Sequence, residues 1–267
     1  MDEQEFKEEF ERNRLRYEAL KEQVANEIEV YAHLVETEGP NIESQYMMHI
    51  GRFECHLMRL EIEVKRWKRR FALRQQYLNR GEKPDMVEIE RLLDMEFSEW
   101  REKLDAFVAK VKTAKLNWDM GKLSPEETNA IRCEYLKAVK KLHPDLNPDL
   151  PEAAVTLWNQ VQQAYSAKDW RKLKFLVSLV DEVVAGQEAF DAMPEGLEKL
   201  RLACAKLEEK GSEVSRQIAG LKAEKPFAYM VLLEDADMLN RRQDELKGKI
   251  AELEDVIKNY ERMWGNV

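Results

Sequence analysis

Glycine and proline are the scarce residues of this chain, 10 and 8 among 267. So few turn-formers exclude a β-rich protein with many tight turns, and a hydrophobic share of 44% excludes a disordered chain. Cysteine is rarer still, at three. Cys55, Cys133 and Cys204 are odd in number and far apart, with no C-x-x-C and no Cys/His cluster. Neither a disulfide framework nor a zinc site is indicated, and a reducing compartment fits. No apolar run is long enough for a bilayer span: the longest cluster, residues 175–184, is broken by Ser178, Asp181 and Glu182. The start, Met1-Asp2-Glu3-Gln4-Glu5, lacks the apolar core of a signal peptide. A cytoplasmic location is therefore expected. An excess of positive charge is also missing. The net charge of −9 argues against nucleic acid or an anionic membrane as partner.

What is abundant is charge, 36% of residues, laid over apolar positions at three- and four-residue spacing. Phe6, Phe10, Tyr17, Leu20, Val24, Ile28, Tyr31 and Leu34 form one stripe, ended by Gly39-Pro40. Ile50, Phe53, Leu57, Leu60, Val64, Trp67 and Phe71 form a second, and Leu93, Phe97, Trp100, Leu104, Phe107, Val111, Ala114 and Trp118 a third. Gly81 and Pro84 lie between these two, and Asp85 is placed to cap the third run. A period of 3.5 is the seam of a coiled coil or long bundle helix. Residues 1–119 thus read as an antiparallel helical bundle, with Trp67, Trp100 and Trp118 as packing residues. Lys65-Arg66-Trp67-Lys68-Arg69-Arg70 is the most basic run, and its charges read as a solvated face. His49 and His56 lie one heptad apart, with no further ligand at metal spacing.

The C-terminal part repeats the pattern. Leu197, Leu200, Cys204, Leu207, Gly211, Val214, Ile218 and Leu221 precede a turn at Lys225-Pro226. Leu232, Ala236, Leu239, Gln243, Leu246, Ile250, Leu253, Ile257, Tyr260 and Trp264 follow it. Residues 186–267 read as an antiparallel hairpin. Cys204 is a small buried seam residue, and Gln243 a lone polar one that can fix register.

Residues 120–185 differ. Ser124-Pro125-Glu126-Glu127 is a helix start: Ser124 caps, Pro125 suits the first position and Glu127 completes a capping box. The helix runs to Leu142 with Ile131, Tyr135, Ala138, Val139 and Leu142 on its apolar face and Arg132, Lys137, Lys140 and Lys141 mostly off it. Then comes His143-Pro144-Asp145-Leu146-Asn147-Pro148. Pro144 has no N–H and forces His143 out of the helical region, so His143 and Asp145 sit on a stiff turn. A second helix begins near Glu152 and carries Ala154, Trp158, Val161, Ala164 and Tyr165 on one face. Asp169 is placed to cap a last helix bearing Trp170, Leu173, Phe175, Leu176 and Leu179. Residues 121–180 hold nine Lys/Arg against seven Asp/Glu, a locally basic segment in an acidic chain.

This segment resembles the J-domain of DnaJ-type co-chaperones over residues 125–166. The resemblance rests on Tyr135, the basic run ending in Lys141, the His143-Pro144-Asp145 tripeptide, Asn147-Pro148 and the Trp158, Val161, Ala164-Tyr165 face. It implies two antiparallel helices with the tripeptide at their tip. It also implies docking on an Hsp70 chaperone (DnaK-type), whose ATP hydrolysis the module stimulates. The implied contact residues are His143, Pro144, Asp145 and Asn147, with Arg132, Lys137, Lys140 and Lys141 as the basic row. Trp158 stands where the family usually has phenylalanine, and Leu146 where it often has lysine. The short first helix of the family has no visible counterpart before Ser124; residues 112–118 are the candidate replacement. No glycine/phenylalanine-rich linker, zinc-binding set or β-rich domain accompanies the segment.

The expectation is an all-α protein: a central J-like hairpin between long antiparallel helical arms that bind a client or set a homo-oligomer. It is expected to have no catalytic residues, metal or cofactor, since one His-Asp pair with no nucleophile in context does not define an active site. The alternative is a structural coiled-coil scaffold with a degenerate J-like module.

Overall fold

The chain is all-α. The computed structural model describes residues 3–119, 123–184 and 193–265. Among them no strand occurs, and the α-helices are α1 (Glu3–His33), α2 (Gly39–Tyr46), α3 (Arg52–Asn79), α4 (Met86–Glu96), α5 (Ser98–Asp119), α6 (Pro125–Leu142), α7 (Glu152–Ser166), α8 (Trp170–Ser178), α9 (Val180–Val183), α10 (Pro194–Ala223), α11 (Met230–Glu234) and α12 (Ala236–Gly265). No described helix is long and apolar enough to cross a membrane. Contacts gather the chain into two compact units, each built from two separated stretches. One joins Met1–Pro40 to Lys122–Ala228, the other Asn41–Gly121 to Tyr229–Val267. This differs from three consecutive segments. The joints expected near residues 120 and 186 lie at or within stretches outside the described residues.

In the first unit α1 packs along α10. Phe10 meets Leu197 and Leu200, the Cys204 thiol faces the Asn13 carbonyl, Arg16 pairs with Glu208, and Val24 lies against Gly211. Numbers rise together, so the two helices are parallel. A short loop would force antiparallel neighbours; here the connection between them runs through α2 to α9, which leaves the parallel choice open. Gly211 allows the close approach, since a Cβ there would sit 3.3 Å from Val24 Cγ2. The expected hairpin of residues 186–267 is thus split, with α10 in this unit and α12 in the other.

In the second unit α3 and α12 are likewise parallel: Arg242 reaches Glu54, Leu60 and Val64 pack with Ile250 and Ile257, and Phe71 meets Trp264 edge-on at 5.1 Å. The α4–α5 run lies antiparallel to α3, as expected for helices joined at a tight turn. Gly81 takes φ +71° there, and Asp85 caps α4 by accepting from the N–H groups of Val87 and Glu88. Arg66, Arg69 and Arg70 pair with Glu90, Asp94 and Glu96 of α4. Three of the five cations of the basic run are therefore paired, while Lys65 and Lys68 stay exposed. Trp100 and Trp118 depart from the seam reading, being 39% and 43% exposed, and Lys65 sits 4.0 Å from the centre of the Trp100 ring.

Gly39-Pro40 does not end the first helix. A π-turn at Leu34–Glu38 lets the Gly39 N–H reach back five residues to the Leu34 carbonyl, and the helix continues through Pro40. A widened turn absorbs the missing donor and the ring bulk that would break a regular helix. A second π-turn, Met47–Gly51, leaves the His49 carbonyl to accept from the Gln243 side chain at 3.0 Å. The lone polar seam residue is thereby satisfied.

Candidate functional site

The site is the turn between α6 and α7. Ser124 and Glu127 form the reciprocal capping box that starts α6, and His143, at φ −70° and ψ 126°, ends it ahead of Pro144. Tyr165 stacks on Tyr135 with ring centres 4.0 Å apart, while Trp158 meets His143 edge-on at 5.2 Å. The helices are therefore antiparallel and the tripeptide stands at their turn. Such ring pairs add about 0.5–1.5 kcal/mol each beyond burial. Leu142 and Leu146 are fully buried in the core beneath, together with Val139, Ala154 and Val161.

The turn is held by its own polar atoms. The His143 carbonyl accepts from the N–H groups of Leu146 and Asn147, both at 3.0 Å. His143 Nδ1 accepts from the Asp145 N–H at 3.2 Å. Asn147 is buried, and its amide donates to the carbonyls of Lys140 and His143 at 3.1 and 3.2 Å. Asn147 thus braces the turn from inside rather than standing outward. The His143 side chain is only 16% exposed, and burial lowers its pKa; nearby Lys210 lowers it further and Asp145 opposes. Pro144 and Asp145 are exposed.

The basic row divides. Lys137 and Lys141 are exposed, paired on the surface with Glu134 and Asp181. Arg132 and Lys140 face α1 and stay partly exposed. Arg132 makes a two-pronged pair with the buried Glu29, both contacts 2.8 Å, and this bond raises the guanidinium pKa. Lys140 donates to Glu22 at 2.6 Å, which lowers that carboxyl's pKa. Lys21, its pKa lowered by burial, donates to Asn147 Oδ1 at 2.6 Å. Lys210 of α10 lies 2.9 Å from Asp145 Oδ2 and also pairs with Glu213. A cavity of about 270 Å³ remains between α1, α6, α7 and α10, bordered by Tyr31, Val35, Tyr135, His143, Trp158 and Lys210.

Residues 112–118 belong to the other unit. The helix laid along α6 is α1, through Val24, Ala25 and Ile28. Sequence reading missed Lys21, Glu22, Glu29 and Lys210 as parts of the site. The available signal was a second stripe on α1, with Glu22, Ala25, Glu29 and Ala32 beside the first. Small residues there allow α6 to approach. Among the described residues no group of His, Cys, Asp or Glu is placed to hold a metal ion. Comparison of the chain with protein-family models, curated proteins and solved structures found no match.

Proposed function

We propose that this protein is a J-domain-type co-chaperone. It docks on an Hsp70 chaperone through His143, Pro144, Asp145 and the basic face of α6, stimulates the partner's ATP hydrolysis, and performs no chemistry of its own. The observation that carries the reading is the tripeptide turn at an antiparallel α6–α7 hairpin, with Pro144 and Asp145 exposed and Lys137 and Lys141 exposed on the approach helix. Positive charge steers toward an acidic surface, and a stiff polar turn supplies the specific contacts. The helical arms would hold a client or a second copy. A cytoplasmic setting fits the absence of disulfide spacing.

The test is steady-state ATP hydrolysis by a purified Hsp70 chaperone. Stimulation by the wild-type chain that His143→Gln abolishes supports the reading. No stimulation, or stimulation unchanged by His143→Gln, removes it. A second reading is a scaffold in which the turn is an internal fastener. It is favoured by the bonds that Asp145 and Asn147 make to Lys210 and Lys21. It predicts loss of stability, without any effect on a partner, when these residues are changed.

A further inference from the structure

We propose that α1 and α10 are an intramolecular competitor for the docking face, so that an acidic partner surface must displace them. The inference rests on the co-chaperone reading and assigns that site its regulation. Four contacts carry it. Glu29 and Glu22 of α1, seven residues apart, occupy Arg132 and Lys140 of α6, eight residues apart in the opposite direction. Lys21 holds Asn147, and Lys210 holds Asp145. Each group the partner would read, other than Pro144, Lys137 and Lys141, is already engaged from these two helices or, for His143, largely buried.

The competitor also states what the partner must look like. It presents carboxylates at two-turn spacing to the guanidinium and ammonium of α6, and a cation to Asp145. A partner with the same pattern offers equal bonds in exchange, so the swap of ion pairs changes little energy. Lys137 and Lys141 remain outside for the first encounter, held only by exposed pairs that contribute little. The cavity at the seam favours release. It is partly open to solvent, so separating α1 and α10 from the turn gives up fewer protein contacts than parting a filled interface. The apolar residues Val24, Ala25 and Ile28 keep the cover closed in the resting chain.

The test uses the full chain with Glu29→Lys and Lys210→Glu, which place like charges against Arg132 and Asp145 and leave every docking residue intact. Lys210→Met serves as a milder variant should the double change unfold the protein. Two readouts are taken. Hydrogen exchange over residues 128–147 is expected to speed by about tenfold, with α3 and α12 as unchanged internal controls. Stimulation of Hsp70 ATP hydrolysis is expected to reach its half-maximum at a several-fold lower concentration than for wild type, and to vanish when His143→Gln is added. Unchanged exchange, or faster exchange with the same half-maximal concentration, overturns the competitor while leaving the docking reading in place. Faster exchange with no stimulation from any variant overturns both.

Discussion

Lys210 Nζ lies 2.9 Å from Asp145 Oδ2, so α10 grips the last residue of the tripeptide turn. The bond raises the Lys210 pKa. It also places a positive charge near His143, whose own pKa lies below the ordinary value chiefly because of burial. The turn is therefore built around a neutral imidazole.

That sets the sign of a pH effect. A histidine in the unfolded chain takes up a proton near pH 6.5, before the buried one does. The contribution of His143 is full above that pH and is lost as pH falls from there toward its lowered folded value. His33, also lowered by burial, acts in the same direction. Urea unfolding at pH 7.5 and 5.5 is expected to show a larger loss for wild type than for His143→Gln. Equal losses would show that His143 is not held neutral.

Arg132 neutralises a buried Glu29, so removing one partner costs more than the pair itself is worth. Arg132→Ala is expected to lower stability by about 1–3 kcal/mol, because an uncompensated carboxylate stays behind. Adding Glu29→Gln should return part of the loss. A double variant as unstable as the sum of the singles would show that the two side chains do not interact.

Cysteine reactivity should separate cleanly. Cys55 and Cys204 are buried and their thiol pKa values are raised by that burial, whereas Cys133 is exposed on α6. A thiol reagent under native conditions is expected to label Cys133 first, with the other two slower by about tenfold or more. Equal rates would contradict the packing of Cys204 between α1 and α10 and of Cys55 within the other unit.

Arg66, Arg69 and Arg70 face the acids of α4, which leaves Lys65 and Lys68 as the exposed cations of that run. No oligonucleotide binding is expected at ordinary salt, and Glu90→Gln with Asp94→Asn should be needed before weak, salt-sensitive binding emerges. Tight binding by the wild-type chain would refute this pairing.

Much of the helical content was legible because its signals are local. Ser124-Pro125-Glu126-Glu127, Asp85 and Asp169 each cap the helix that follows, and His143 leaves the helix where Pro144 requires. Partner choice was not legible. A heptad stripe states that a face is buried but names no neighbour. The parallel pairing of α1 with α10 depends on residues nearly two hundred apart, such as Arg16 and Glu208. Gly39-Pro40 misled for a local reason, since a π-turn can carry a helix through a proline. The pairing of Arg132 and Lys140 with α1 was hidden because Glu22 and Glu29 lie beside the apolar stripe, where acids ordinarily meet water.

The most direct measurement is ATP hydrolysis by an Hsp70 chaperone titrated with four versions of this chain: wild type, His143→Gln, Glu29→Lys with Lys210→Glu, and the three changes combined. The expected order is strongest stimulation at low concentration by the double variant, weaker by wild type, and none by either protein carrying His143→Gln. Rates equal to the unstimulated chaperone with all four would contradict docking through the His143-Pro144-Asp145 turn.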